Sequence, residues 1–251
     1  MVNPLDLSGK RILVTGASAG IGQATAVLLS QLGAHVICAG RSEKGLAETG
    51  SMMEGGGHQF VQFELTQVDE IPNWMKTLAS EAGLLSGLVH SAGTSNTRPL
   101  KILTQKDFSK VLIVNLEAAA ALAKGFRQKG VCDGGGSVVF ISSVAAIKGQ
   151  PSLAAYAASK GGLISLARTL AVELARDKIR VNCVLPALVR TRMADKFESM
   201  LTPEAFQKVE ATYPLGLGTP LDVANAIAFF LSGASRWITG TSLTLDGGWT
   251  A

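Results

Sequence analysis

Cysteine is scarce in this chain of 251 residues. Three occur, Cys38, Cys132 and Cys183, an odd number at wide spacing. That fits reduced thiols in a cytoplasm better than a disulfide framework. None stands near a histidine at metal-ligand spacing, so no metal site is expected. Long apolar runs are also missing: nothing approaches the roughly eighteen residues a membrane-spanning helix needs, and no membrane partner is expected. The first ten residues hold Pro4 and Asp6 and no basic stretch leading into an apolar one, so a secretory signal is not expected. Basic residues outnumber acidic ones by only 23 to 19. They are scattered, with short concentrations at Lys124, Arg127 and Lys129 and at Arg176, Lys178 and Arg180. The clustered stripe that nucleic-acid binding calls for is absent. There is no low-complexity segment and no repeat. The expectation is a soluble, cytoplasmic protein with one domain over residues 1–251, large enough to bury a sizeable core.

What is present is alternation. Short β-rich apolar runs at Arg11–Thr15, His35–Ala39, Gln59–Phe63, Gly87–His90, Ser137–Ser142, Ile179–Leu185 and Ser242–Leu245 are predicted strands. Helix-period segments lie between them: Ile21–Leu32, Gln67–Ala82, Phe108–Lys129, Ala154–Arg176 and Leu221–Ser232. Strands apolar nearly throughout imply a sheet covered on both faces. Strand and helix in turn imply right-handed crossovers, hence an α/β, doubly wound parallel sheet. The stretch from Pro186 to Pro220 contains no strand. In this architecture ligands bind beyond the carboxyl ends of the strands, so an insertion at about 187–219 is a natural lid.

The first strand runs into Thr15-Gly16-Ala17-Ser18-Ala19-Gly20-Ile21-Gly22, and a helix follows at once. Three glycines at this spacing let the backbone turn sharply, approach a pyrophosphate and pack the helix on the strand. The helix start then offers unpaired N–H groups and partial positive charge to the anion. The end of the second strand bears on which nicotinamide cofactor is held. A carboxylate there would bond the adenosine ribose of NAD and repel a 2′-phosphate. The sequence is Cys38-Ala39-Gly40-Arg41-Ser42: Gly40 leaves space, Arg41 offers a charged fork and Ser42 a second donor. This favours NADP(H), with NAD(H) left open.

Tyr156 and Lys160 lie four apart at the start of a helical segment and share one face. A free phenol, with a pKa of about 10, is a poor acid/base at neutral pH. A lysine charge at about 4 Å is worth on the order of 4 kcal/mol at an effective dielectric near 20, which would bring the phenol toward working pH. Ser142 and Ser143 end a strand and set a hydroxyl at the catalytic edge of the sheet. Thirteen positions separate Ser143 from Tyr156, room for a loop to return over that edge. Asn115, inside the apolar run Val111-Leu112-Ile113-Val114-Asn115-Leu116, needs a polar partner. It is either a satisfied core amide or the anchor of a water that relays protons to Lys160.

Together these residues resemble the short-chain dehydrogenase/reductase family over nearly the whole chain. The likeness is carried by Thr15-Gly16-x-x-x-Gly20-x-Gly22, Asn115, Ser143, Tyr156-x-x-x-Lys160, Arg180-Val181-Asn182, and Ile238-Thr239-Gly240 through Asp246-Gly247-Gly248. The resemblance implies a Rossmann-like, seven-stranded parallel sheet, commonly a homotetramer, and an Asn115, Ser143, Tyr156, Lys160 catalytic tetrad. It further implies that Lys160 bonds the nicotinamide ribose, that Pro186, Val189 and Thr191 line the nicotinamide, and that Met193 to Pro214 form a mobile substrate loop. Ser18, Ala19 and Ile21 belong with the glycines of the phosphate turn. Some positions depart from the family pattern. Asn-Asn-Ala-Gly reads His90-Ser91-Ala92-Gly93, with Ala92 and Gly93 still fitted to approach the adenosine ribose. Glu64-Leu65-Thr66 replaces an acidic adenine-facing residue, leaving Leu65 as a weaker adenine contact. Pro186-Ala187 replaces Pro-Gly, and no arginine follows Pro214-Leu215-Gly216.

Within the family the chain is most similar to the 3-oxoacyl-[acyl-carrier-protein] reductases. That implies a β-keto thioester reduced with NADPH in fatty acid metabolism, with Lys129 and Arg176 available to an acidic carrier and Asp177 opposing them. The alternative is a sugar, polyol, steroid or other secondary alcohol, selected by Leu188, Met193, Phe197, Met200 and Phe206. Two other classes share these residues: an epimerase or isomerase using the same Tyr/Lys pair, and a non-catalytic cofactor-binding protein. The first usually carries a longer C-terminal substrate domain, and the second does not account for an intact tetrad.

Overall fold

The computed structural model describes residues 3–132 and 134–251. Seven strands, β1 (Arg11–Thr15), β2 (His35–Gly40), β3 (Gln59–Gln62), β4 (Gly87–His90), β5 (Gly136–Ile141), β6 (Ile179–Pro186) and β7 (Ser242–Leu245), form one sheet in the order β3-β2-β1-β4-β5-β6-β7. Every pairing is parallel. The order reverses between β1 and β4, which opens a crevice at their carboxyl ends where a doubly wound sheet takes its ligand.

Helices cover both faces. On one lie α3 (Ile71–Ala82), α4 (Gln105–Leu112), α5 (Ala118–Phe126) and α6 (Ala154–Glu173); on the other, α1 (Gly20–Gln31), α2 (Glu43–Met52) and α9 (Pro220–Leu231). Consecutive strand residues feed opposite cores. Leu13 packs with Met75, Phe126 and Leu163, while Ile12 and Val14 pack with Leu29, Ile227 and Phe230. The double covering explains why the inner strands read as continuous apolar runs. The edge strand β3 departs from that pattern, with Phe60 exposed.

Four elements were not anticipated. Helix α2 begins at Ser42, whose hydroxyl accepts the Gly45 N–H. The predicted helix 108–129 is interrupted by a π turn at Ile113–Glu117 between α4 and α5. The segment 187–219 holds two short helices, α7 (Arg192–Glu198) and α8 (Pro203–Glu210), and is closed at its base by a bridge between Val189 and Gly218.

Candidate active site

The phosphate turn is tightly specified. Gly16 has φ +71, and a Cβ there would lie 2.7 Å from the backbone of Ala92; one on Gly22 would lie 2.3 Å from the Gly16 carbonyl oxygen. Only glycine lets β1, β4 and α1 approach this closely. Helix α1 starts at Gly20 behind Ala19, which supplies no side-chain cap, and its first turn holds no acidic residue. Its leading N–H groups are therefore offered to an anion rather than satisfied internally. Thr191, at the start of the lid, approaches Gly20 (a Cβ there would meet its methyl at 3.4 Å), so the lid begins beside this turn. Residues of this kind fit a dinucleotide: the α1 start would take the pyrophosphate, and Ala92 and Gly93 would allow the adenosine side to approach.

At the end of β2, a Cβ on Gly40 would meet Ser18 at 3.2 Å, so the adenosine side of the cleft is narrow. Arg41 is exposed and 3.9 Å from Glu64. An exposed pair at that distance is worth about 0–1 kcal/mol, so the guanidinium remains available to a stronger anion. The Ser42 oxygen accepts from the α2 backbone and keeps its proton to donate. Leu65 is 8% exposed and packs in the α3-side core. Pro186 and Val189 are buried where β6 leaves the sheet.

The four residues of the expected tetrad converge on the same edge. Tyr156 and Lys160 stand on the first turns of α6, with the ammonium 5.6 Å from the phenol ring centroid. Ser143 follows β5, its hydroxyl accepting the Ala145 N–H at 3.2 Å and lying near enough to the phenol to lower its pKa. Asn115 lies in the π turn, wholly buried. Its amide donates to the Thr94 carbonyl at 3.0 Å and to the Ser159 hydroxyl at 2.9 Å, and its oxygen accepts the Thr94 N–H at 2.8 Å. Ser159 in turn donates to the Tyr156 carbonyl at 2.7 Å. Asn115 is thus a satisfied core amide that ties α6 to the loop after β4. A Cβ on Gly93 would sit 3.4 Å from both Asn115 Oδ1 and Lys160 Nζ, so the two polar ends share one small space.

The electrostatics correct one expectation. Burial raises the Tyr156 phenol above its ordinary value, and the Ser143 hydroxyl draws it only partly back. Lys160 is 5% exposed, and burial lowers its ammonium to about 8. Its Nζ donates to the Ile141 carbonyl at 2.6 Å instead of facing the phenol oxygen. In this arrangement desolvation outweighs any help the lysine charge gives the phenol.

Sequence reasoning missed several parts. Thr94, Ser159 and the Ile141 carbonyl carry no local signal, because each becomes a partner only through the fold. The C-terminal turn is another. Trp249 stacks on Tyr213 at 5.5 Å, and Lys148 lies 3.8 Å over its ring while donating to its carbonyl at 3.1 Å. With the Leu215 N–H donating to the Gly247 carbonyl, this stack fastens the return leg of the lid to the loop after Ser143. Trp249 therefore packs within the chain, whereas Trp237 is 90% exposed. Within the lid segment itself a hollow of 280 Å³ is lined by residues including Thr191, Arg192 and Phe206, and by none of the tetrad.

A dinucleotide cradle joined to a Ser, Tyr and Lys cluster at a sheet switch point defines a cofactor-dependent oxidoreductase. The sequence profile of the family described as "Enoyl-(Acyl carrier protein) reductase" matches residues 16–250. A 3-oxoacyl-[acyl-carrier-protein] reductase from Rickettsia felis is 38% identical over 246 residues, covering 97% of this chain and 98% of the relative. A cis-4-hydroxycyclohexanecarboxylate dehydrogenase from Sinomonas cyclohexanicum is 34% identical and covers 95% and 96%. A solved structure from Beutenbergia cavernae with NADP bound at low occupancy superposes with a TM-score of 0.89 at 31% identity, covering 98% and 99%. The chain belongs to the short-chain dehydrogenase/reductase family. It is an oxidoreductase that interconverts a ketone and a secondary alcohol with a nicotinamide cofactor.

Proposed function

We propose that the protein is an NADP(H)-dependent reductase of 3-oxoacyl thioesters borne on an acyl carrier, with Tyr156 as its acid. The observation that carries the reaction is the cluster at the sheet edge: the Ser143 hydroxyl beside the Tyr156 phenol, with Lys160 one turn further along α6 and its ammonium 5.6 Å from the phenol ring. Bound nicotinamide would supply a hydride to the substrate carbonyl carbon. Ser143 orients the carbonyl oxygen, and Tyr156 gives it a proton. A phenol held protonated by burial suits the reducing direction, where the site must donate rather than take a proton. Lys160 would hold the nicotinamide ribose when the cofactor is bound and, with water near Asn115, return the proton to Tyr156.

Arg41 and Ser42 support NADP(H) over NAD(H), since they present a charged fork and a hydroxyl donor where the adenosine 2′-phosphate would fall. The thioester reading rests on relatives of that activity spanning nearly the whole chain. The surface agrees with it: Asp177 is held by Arg127 at 3.5 Å, which leaves Lys129 and Arg176 exposed toward an acidic carrier. A second reading, a free cyclic or acyclic secondary alcohol, is favoured by the exposed Met193, Phe197 and Met200 in the lid segment, which suit an apolar substrate without a carrier. Val172 on α6 and Trp237, both strongly exposed, are the faces that a homotetramer would bury. Cys38 and Cys183, buried thiols pushed up to about 12, fit a reducing cytoplasm.

The deciding experiment follows NADPH and NADH oxidation with an acetoacetyl thioester and a panel of unrelated ketones. NADPH-specific turnover of the thioester is expected; turnover of other ketones alone, or with NADH alone, overturns the substrate or the cofactor assignment. Tyr156→Phe is expected to keep NADPH affinity while losing turnover on the order of 100-fold or more. Undiminished turnover in that variant removes Tyr156 from its role.

A further inference from the structure

His90 closes β4 where the family pattern has asparagine, and it is 1% exposed. Its Nδ1 lies 3.0 Å from Thr15 Oγ1, at the last residue of β1 before the phosphate turn. Thr15 Oγ1 also accepts the Ala92 N–H at 3.4 Å. A hydroxyl has one proton to give, and among the described residues the imidazole is the acceptor placed to take it. Thr15 therefore donates to Nδ1, and the proton of the neutral ring belongs on Nε2. Nε2 is buried and meets no partner of hydrogen-bonding geometry among the described residues. The backbones of Asn115 and Val114 lie close enough to the ring to favour its protonated form, without making a hydrogen bond to Nε2. Both residues belong to the π turn, where the main-chain ladder is shifted and a carbonyl is left without its regular helical partner. The ring cannot answer by charging: burial first, then the charge of Lys160, hold its pKa down at about 3.

We propose that His90 is a positioning residue: as a neutral Nε2–H tautomer it couples the end of β1 to the π turn, and so sets the height of Asn115 against Thr94 and Ser159. The chain of contacts runs from Ala92 N–H to the Thr15 hydroxyl, to Nδ1, and from Nε2–H to the turn's carbonyls, directly or through one water. A buried imidazole N–H left unsatisfied is costly, so the turn carbonyls or a shared water are its natural partners. His90 is buried and acts through Asn115, whose amide holds α6 by way of Ser159. Its importance for turnover rests on the tetrad reading given above, while its tautomer and linkage do not.

The test has two arms on the full chain. The first is ¹⁵N-histidine NMR of the wild-type protein, with the His90 signals assigned by their loss in His90→Asn. An Nε2–H tautomer that does not titrate between pH 5 and 9 is expected; an Nδ1–H tautomer, or titration in that range, overturns the proposal. The second compares His90→Asn, which keeps an acceptor for Thr15 but has no donor at the Nε2 position, with His90→Gln, which reaches that position with an amide N–H. For the asparagine variant, kcat is expected to fall by about 10- to 100-fold, as misplacement near a reacting centre does, with the cofactor KM little changed. Glutamine is expected to recover part of the loss. Unchanged kcat in both variants, or a loss confined to cofactor KM, overturns the link to Asn115. Should no ketone be turned over by the wild type, the tetrad reading fails, and the tautomer measurement still decides the linkage.

Discussion

Lys160 donates to a main-chain carbonyl inside the protein, and that contact sets the pH behaviour of the site. Its ammonium, lowered to about 8 by burial, is charged below that value and neutral above it. The phenol of Tyr156 is raised and keeps its proton throughout. If Lys160 returns protons to Tyr156, ketone reduction holds a plateau on the acidic side and falls as pH rises through about 8. A pH profile of kcat in the reducing direction checks this, and a flat profile from about 7 to 9.5 would separate Lys160 from proton supply. The positions of Ser143, Tyr156 and Lys160 were legible because a four-residue helical spacing and a strand end are local facts. The partners of Asn115 were not, since Thr94 and Ser159 are reached across 21 and 44 positions of sequence. Nor was the state of the phenol, which depends on how much water the fold removes rather than on the distance to a lysine.

At the scale of elements, the glycine turn is the most constrained piece of the molecule. Gly16→Ala would force a Cβ into the backbone of Ala92 in a left-handed conformation. NADPH affinity is expected to fall by about 10-fold or more, equivalent to roughly 1.4 kcal/mol. Gly56→Ala, with open space around it and no left-handed φ, is expected to leave it unchanged. Titration of each variant with NADPH, read by nucleotide fluorescence, separates the two. This turn could be read from sequence because the backbone demand and the residue type coincide. The π turn at Ile113–Glu117 could not, because one extra residue in a helical ladder leaves the apolar periodicity almost intact. Helix α2 escaped notice because its ten residues, Glu-Lys-Gly-Leu-Ala-Glu-Thr-Gly-Ser-Met, bury only Gly45, Leu46 and Thr49. The lid helices were hidden by their brevity, seven and eight residues.

Across the whole molecule, the sheet was legible because strands buried on both faces must read as apolar runs, and every predicted strand lies within a residue or so of its observed ends. The run Arg180-Val181-Asn182, recognised only as a motif, proves to be a tether. Arg180 donates to the carbonyls of Phe230 and Ile238, Val181 N–H to the Thr239 hydroxyl, and Asn182 to Ile238 while accepting from Thr241. It thereby binds β6 to the end of α9 and the start of β7. Asn182 is fully buried, so Asn182→Ala leaves the Thr241 N–H without its partner and the Ile238 carbonyl with Arg180 alone, at a cost of about 1–3 kcal/mol. At roughly 2–4 °C per kcal/mol for a chain of this size, a drop in Tm of several degrees is expected by calorimetry, and an unchanged Tm would show the tether to be dispensable. The other long-range fastening is the stack of Lys148, Trp249 and Tyr213 that holds the lid's return leg. An indole held between a phenol ring and an ammonium does not emit as one in water does. The chain therefore carries its own optical probe of lid position, distinct from the solvent-facing Trp237 and from Trp74, which is stacked on Phe63.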